Sequence, residues 1–129
     1  MSGDETQPSL LASVHDYPRH ALRIPPGWLV KYNEFYEVPA DHPEAWSFAC
    51  RGSLVMLSHP MRGVLVDLGW VPDEDPTGGY LLRVFEGDHL GRELQAFETR
   101  ERATVIAKME RVLNDITSFR FSPLGDNSQ

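Results

Sequence analysis

The chain has 129 residues, a length that suits one domain with a modest core. Hydrophobic residues make up 41% and charged residues 24%, ordinary globular usage that excludes a disordered polymer. The net charge of −7 lies in the middle of the chain, where residues 34–88 hold ten acids against Arg51, Arg62 and Arg83; with no basic stripe to displace counterions, nucleic-acid binding is excluded. No run approaches the roughly 18 apolar residues of a membrane span. Asp4 and Glu5 stand where an export signal carries positive charge. Cys50 is the only cysteine, which precludes an internal disulfide and fits a reducing compartment, so a cytoplasmic protein is expected.

Residues 1–17 are polar and lack periodicity, predicting a segment that frays or drapes over the surface. Ile24-Pro25-Pro26-Gly27 is a rigid entry turn, because proline fixes φ and glycine releases it. Residues 28–38 read as a strand through Trp28, Val30, Tyr32, Phe35, Tyr36 and Val38. Its alternation slips at Asn33-Glu34-Phe35, the mark of a bulge or break, and Pro39 and Pro43 end it. Residues 46–50 and 54–57 suggest two short strands or a hairpin turning at Arg51-Gly52-Ser53, with a further turn at Ser58-His59-Pro60. The clearest strand covers 64–70, with Val64, Val66, Leu68 and Trp70 on one face and Leu65, Asp67 and Gly69 on the other. A long turn over 72–79 leads to a strand at 80–85, and Glu86-Gly87-Asp88-His89 turns into another at 93–98. Thr99 is the expected N-cap of a helix over 100–117, whose Val105, Ile106, Met109, Val112, Leu113 and Ile116 form one apolar stripe. The predicted fold is therefore α+β: an antiparallel β-meander sheet of five to six strands packed against one C-terminal α-helix. The domain is expected over 18–121, between flexible segments at 1–17 and 122–129, with Phe119 and Phe121 continuing the packing.

A catalytic site needs a nucleophile, base and orienting group, or a metal cluster. The chain has no G-x-S-x-G, P-loop, G-x-G-x-x-G or H-E-x-x-H. Asp73-x-Asp75-x-Thr77-Gly78 opens like a calcium loop, but its twelfth position is Val84, so the bidentate glutamate is missing. His15, His20, His42, His59 and His89 are scattered beside turn residues, where exposed loop histidines are expected. His42 beside Asp41, and His89 beside Asp88, make an acid–base pair only if their loops meet in space. Cys50 lies in an apolar run with no cation to activate it and reads as a small core residue. No catalytic residue, metal or cofactor is expected. Asp67 reads as an exposed residue on a solvated sheet face, or else as an acid on a concave binding face. Trp28 and Trp70 are expected in the core, and Tyr36, with Glu34 and Glu37, on the surface.

Taken together, Ile24-Pro25-Pro26-Gly27-Trp28, Tyr32-Asn33-Glu34-Phe35-Tyr36-Glu37-Val38, Asp67-Leu68-Gly69-Trp70-Val71-Pro72 and the Asp75-Pro76-x-Gly78 turn, closed by a strand and helix, make a layout over residues 24–116. That layout resembles the small acidic immunity proteins encoded beside bacterial polymorphic toxins. The resemblance implies a cytoplasmic protein that binds a cognate toxin domain and blocks its active site without catalytic residues of its own. It assigns no individual contact. The acidic excess and its interleaved aromatics point to a basic partner surface, which such charge steers into encounter. The candidate partner-binding residues are Glu34, Tyr36, Glu37, Asp67, Asp73, Glu74, Asp75, Glu86 and Asp88. A second reading is a small-ligand or enzymatic domain using the open sheet face around Asp67, Tyr32 and His59; a third is an adaptor subunit of a cytoplasmic complex. Oligomeric state is left open.

Overall fold

Alternating β-branched and aromatic residues separated by turn-forming residues build five strands that pair in chain order. They are β1 (Leu29–Asn33), β2 (Val55–His59), β3 (Val64–Val71), β4 (Gly79–Glu86) and β5 (Glu93–Thr99), all antiparallel to their neighbours, followed by α1 (Arg102–Thr117). This computed structural model describes residues 17–38 and 50–120. Within them the α+β meander with a C-terminal helix is present, with five strands in the sheet. No helix among the described residues is long and apolar enough to cross a membrane.

The register decides which side chains share a face. Val66 stands opposite Leu57 on β2 and Val84 on β4, and Leu68 opposite Val55 and Leu82. These residues form one cluster with Val105, Met109, Val112, Leu113 and Ile116 of α1, so the apolar stripe of the helix seals this face of the sheet. Trp28, Trp70 and Cys50 join the same core, as their residue types suggest. The other face carries Tyr32, Met56, Asp67 and Arg83 in one row across β1 to β4. It is called the open face below. The sheet has two ends: an upper one, where β3 finishes and α1 begins, and a lower one, where α1 finishes.

Several boundaries differ from the sequence expectation. The first strand stops at Asn33, because the Asn33 side chain accepts the Phe35 backbone N–H and turns the chain; the ladder irregularity falls between Val30 and Tyr32. Residues 46–49 of the expected hairpin lie outside the described residues, and β2 instead starts at Val55 and pairs with both β1 and β3. Ser58 and His59 belong to that strand, the turn following at Pro60–Gly63. His59 is thus not an exposed loop residue: it is buried against Trp28 with ring centroids 5.0 Å apart. Thr99 does not cap the helix. It ends β5, Glu101 occupies the N-cap without a side-chain bond, and the Thr99 hydroxyl accepts the Glu101 N–H instead. Phe119 is 77% exposed and adds nothing to the core, lying under the Arg62 guanidinium at 3.5 Å; Phe121 lies outside the described residues.

Candidate functional site

Six of the nine candidate residues gather at the upper end. Glu34, Tyr36 and Glu37 follow β1, and Asp73, Glu74 and Asp75 form the turn between β3 and β4. The 50–54 segment joins them: the Glu34 N–H donates to Leu54 O, the Trp70 N–H to Arg51 O, and the Glu74 N–H to Cys50 O. Within the turn Asp73 Oδ1 accepts the Gly52 N–H at 2.6 Å. Asp75 Oδ1 accepts both the backbone N–H and the hydroxyl of Thr77, which hold its carboxyl below the usual range. Trp70 Nε1 donates to Asp75 O, and the Arg100 guanidinium donates to the carbonyls of Thr77 and Gly78. One oxygen of each of the two carboxylates that would open a calcium loop is thus engaged in holding the turn. Glu74 sits at φ 61°, a left-handed conformation unusual for its type, and points its exposed side chain outward from this braced knuckle.

The charges at this end are unequally satisfied. Arg19 pairs with Glu34 at 3.6 Å and lies 5.2 Å from the Tyr36 ring centroid. Burial and then the hydrogen bond to Glu34 push the Tyr36 hydroxyl up. Tyr36 itself is half-buried, less open than its flanking acids suggest. Arg102 is turned inward, to Val38 O and His20 Nε2. Among the described residues no salt bridge engages Glu37, Asp73 or Glu74.

Glu86 and Asp88 lie elsewhere. They flank the turn after β4 at the lower end, the length of an eight-residue strand away, about 25 Å. Glu86 pairs with Arg92 at 3.6 Å, and Asp88 Oδ1 accepts the Leu90 N–H. They do not join the six residues at the upper end.

Asp67 contradicts the expectation of a solvated acid. Its side chain is 4% exposed, on the open face, where Leu65 and Phe85 are buried as well. Arg83, directly across on β4, approaches Asp67 Oδ2 with Nη2 at 3.4 Å. His89 reaches back from the lower turn, its ring 5.3 Å from that of Phe85 and its Nε2 3.8 Å from Asp67 Oδ1. Its acidic neighbour in space is therefore Asp67, not Asp88. Asp67 Oδ1 and Arg83 Nε are both buried and both without a hydrogen-bond partner. The second reading's trio does not converge: Tyr32 and Asp67 share the open face, but His59 lies on the helix side of the sheet.

Cys50 is buried, and burial pushes its thiol up, away from a reactive thiolate. No group of three or more His, Cys, Asp or Glu among the described residues could hold a metal ion. His89, Arg83 and the Asp67 orphan were not legible as a unit, because their meeting depends on the β3–β4 register and on the path of the β4–β5 turn. No family model, curated protein or solved structure matches the chain.

Proposed function

We propose that the protein is a cytoplasmic inhibitor of the immunity type, which binds a basic surface of a cognate toxin domain through the upper end of the sheet and blocks the toxin's active site. The observation that carries this reading is the braced acidic knuckle. Arg100, Gly52 and Cys50 hold the 72–78 turn from outside and the Thr77–Asp75 bonds brace it from within, so Glu74 is presented from a backbone with little conformational freedom left to lose. Preorganisation of this kind raises affinity by lowering the entropy cost of docking. Glu37 adds an exposed carboxylate at the same end, and half-buried Tyr36 an aromatic edge. Interfaces of ordinary size bury about 800 Å² per partner, which the upper end and its loops can supply.

The test has two stages. Affinity capture from the native cell is expected to return one stoichiometric partner, the toxin domain of a larger protein. Reversing Glu37→Lys and Glu74→Lys, which spares the bracing carboxylates of Asp73 and Asp75, is then expected to slow association about tenfold at low salt and to flatten its salt dependence. Capture of a housekeeping complex instead, or association unchanged by the reversal, overturns the proposal.

A further inference from the structure

Two buried side-chain atoms among the described residues lack a hydrogen-bond partner, and they belong to one pair: Asp67 Oδ1 and Arg83 Nε. Buried polar atoms are almost always satisfied, and leaving one unsatisfied is costly. The oxygen requires a donor; the Nε–H requires an acceptor. Met56 and Leu65 flank Asp67 on the open face, and Phe85 stands beside Arg83, so the surroundings are apolar. His89 closes the site from the solvent side. Its Nε2 is 3.8 Å from Oδ1, too far for a hydrogen bond, and its side chain is 43% exposed on a turn whose tip, Leu90, is 94% exposed. Access to the pair would require this exposed ring to turn aside.

We propose that the Asp67–Arg83 pair receives a neutral carboxamide, the side chain of an asparagine or glutamine on the protein partner inferred above; the source of the amide rests on that reading. Charge decides the class. A cationic side chain would satisfy Asp67 Oδ1 but meet the Arg83 guanidinium, and an anion would satisfy Arg83 and meet the carboxylate. A hydroxyl must bring one atom within reach of both groups, whereas a carboxamide places its N–H₂ on the carboxylate and its C=O on Nε–H with separate atoms. Asp67 stands on β3, between β2 and β4, so the proposed amide is one carried on a side chain rather than in the partner's main chain.

The test uses the full chain and a glutamine mimic. In an NMR titration, propionamide is expected to shift the Arg83 Nε–H and His89 ring signals saturably, while propionate, propylammonium and 1-propanol do not. Asp67→Leu is expected to weaken propionamide about tenfold. Arg83→Lys keeps a positive charge on the side chain but removes the Nε–H together with the Nη2 contact to Asp67; with its fold checked by circular dichroism, it is expected to weaken propionamide as much. No saturable response from the folded wild-type chain, or an equal response to propylammonium or propionate, overturns the carboxamide. Since no partner is present, the two proposals fail separately. A captured toxin with no propionamide response removes the carboxamide alone, and a propionamide response with no captured toxin removes the toxin as its source.

Discussion

At the scale of single residues, the energetics of the open face turn on Asp67. A carboxylate buried this completely is tolerated only when a counter-charge and hydrogen bonds offset its lost hydration. Arg83 supplies the charge through one long contact of 3.4 Å. Arg83→Met leaves the buried charge uncompensated and is expected to cost about 3 kcal/mol in urea unfolding. The double variant Asp67→Leu/Arg83→Met removes both charges and is expected to recover most of that loss; a double variant as unstable as the single one would show that packing, not charge, set the cost. Alternation along 64–70 was enough to place Asp67 opposite Val66 and Leu68. Its burial was not legible, since the residues that stand beside it on this face are set by the pairing of β3 with its neighbours. Gly69, next on that face, has the same origin: a Cβ there would lie 1.9 Å from Gly52 O, an approach set by the 50–54 segment crossing the strand end.

At the scale of elements, α1 is a case of a helix whose interior was readable and whose ends were not. The stripe from Val105 to Ile116 is local periodicity, and all five of its fully buried positions face the sheet. The last turn holds no basic residue of its own. The cation comes from the turn after β2, where Arg62 donates from Nε to Ile116 O at 3.1 Å and from Nη2 to Thr117 O at 2.8 Å. Ile116 O also accepts the Phe119 N–H, while the bond to Thr117 O serves a carbonyl of the kind a helix C-terminus leaves unpaired; both Arg62 bonds place positive charge at the negative end of its dipole. Arg62→Met is expected to lower stability by about 1–2 kcal/mol, read by thermal unfolding. Arg62→Lys, which keeps the charge but not the fork, is expected to fall between the two. Loss no greater than at an exposed arginine such as Arg92 would remove the capping role.

At the scale of the whole molecule, the 17–28 segment ties the sheet to the helix. Its His20 N–H donates to Phe35 O, its Arg23 N–H to Glu110 Oε2 and Trp28 Nε1 to Thr117 Oγ1. A draping segment was expected up to residue 17, and the described part that follows is a structural strap. His20 makes this strap sensitive to pH. Burial, and then the Arg102 charge, lower its pKa below the ordinary value of 6.5, with Glu37 opposing. The folded state therefore binds fewer protons at this site than the unfolded chain in the window just below pH 6.5. Stability contributed here is full above that value and lost as pH falls through the lower folded pKa. Unfolding midpoints are expected to drop from pH 7 to pH 5 in the wild-type chain, and His20→Gln is expected to remove a measurable part of that drop. Equal pH slopes in the two proteins would show that other groups account for it.

Sequence by itself determined β3, β4, β5 and α1 and their order. Alternation with period two, a helical stripe and short turn-rich connections are local signals, and they leave an antiparallel meander under a C-terminal helix as the consistent packing. It also determined the acidic middle and the turns at 72–78 and 87–91, though not the turn after β2. Only the tertiary structure decided which acids stand together, since Asp73 to Asp75 and Glu86 to Asp88 are close in sequence but sit at opposite ends of β4. It likewise decided that His59 is core, that Arg62 caps a helix more than fifty residues away, and that Asp67 is buried with an unpaired oxygen. The physical reason is common to all of them: each depends on cross-strand register or on the path of a turn, which follow from the packing of the entire sheet and leave no local pattern in the residues themselves.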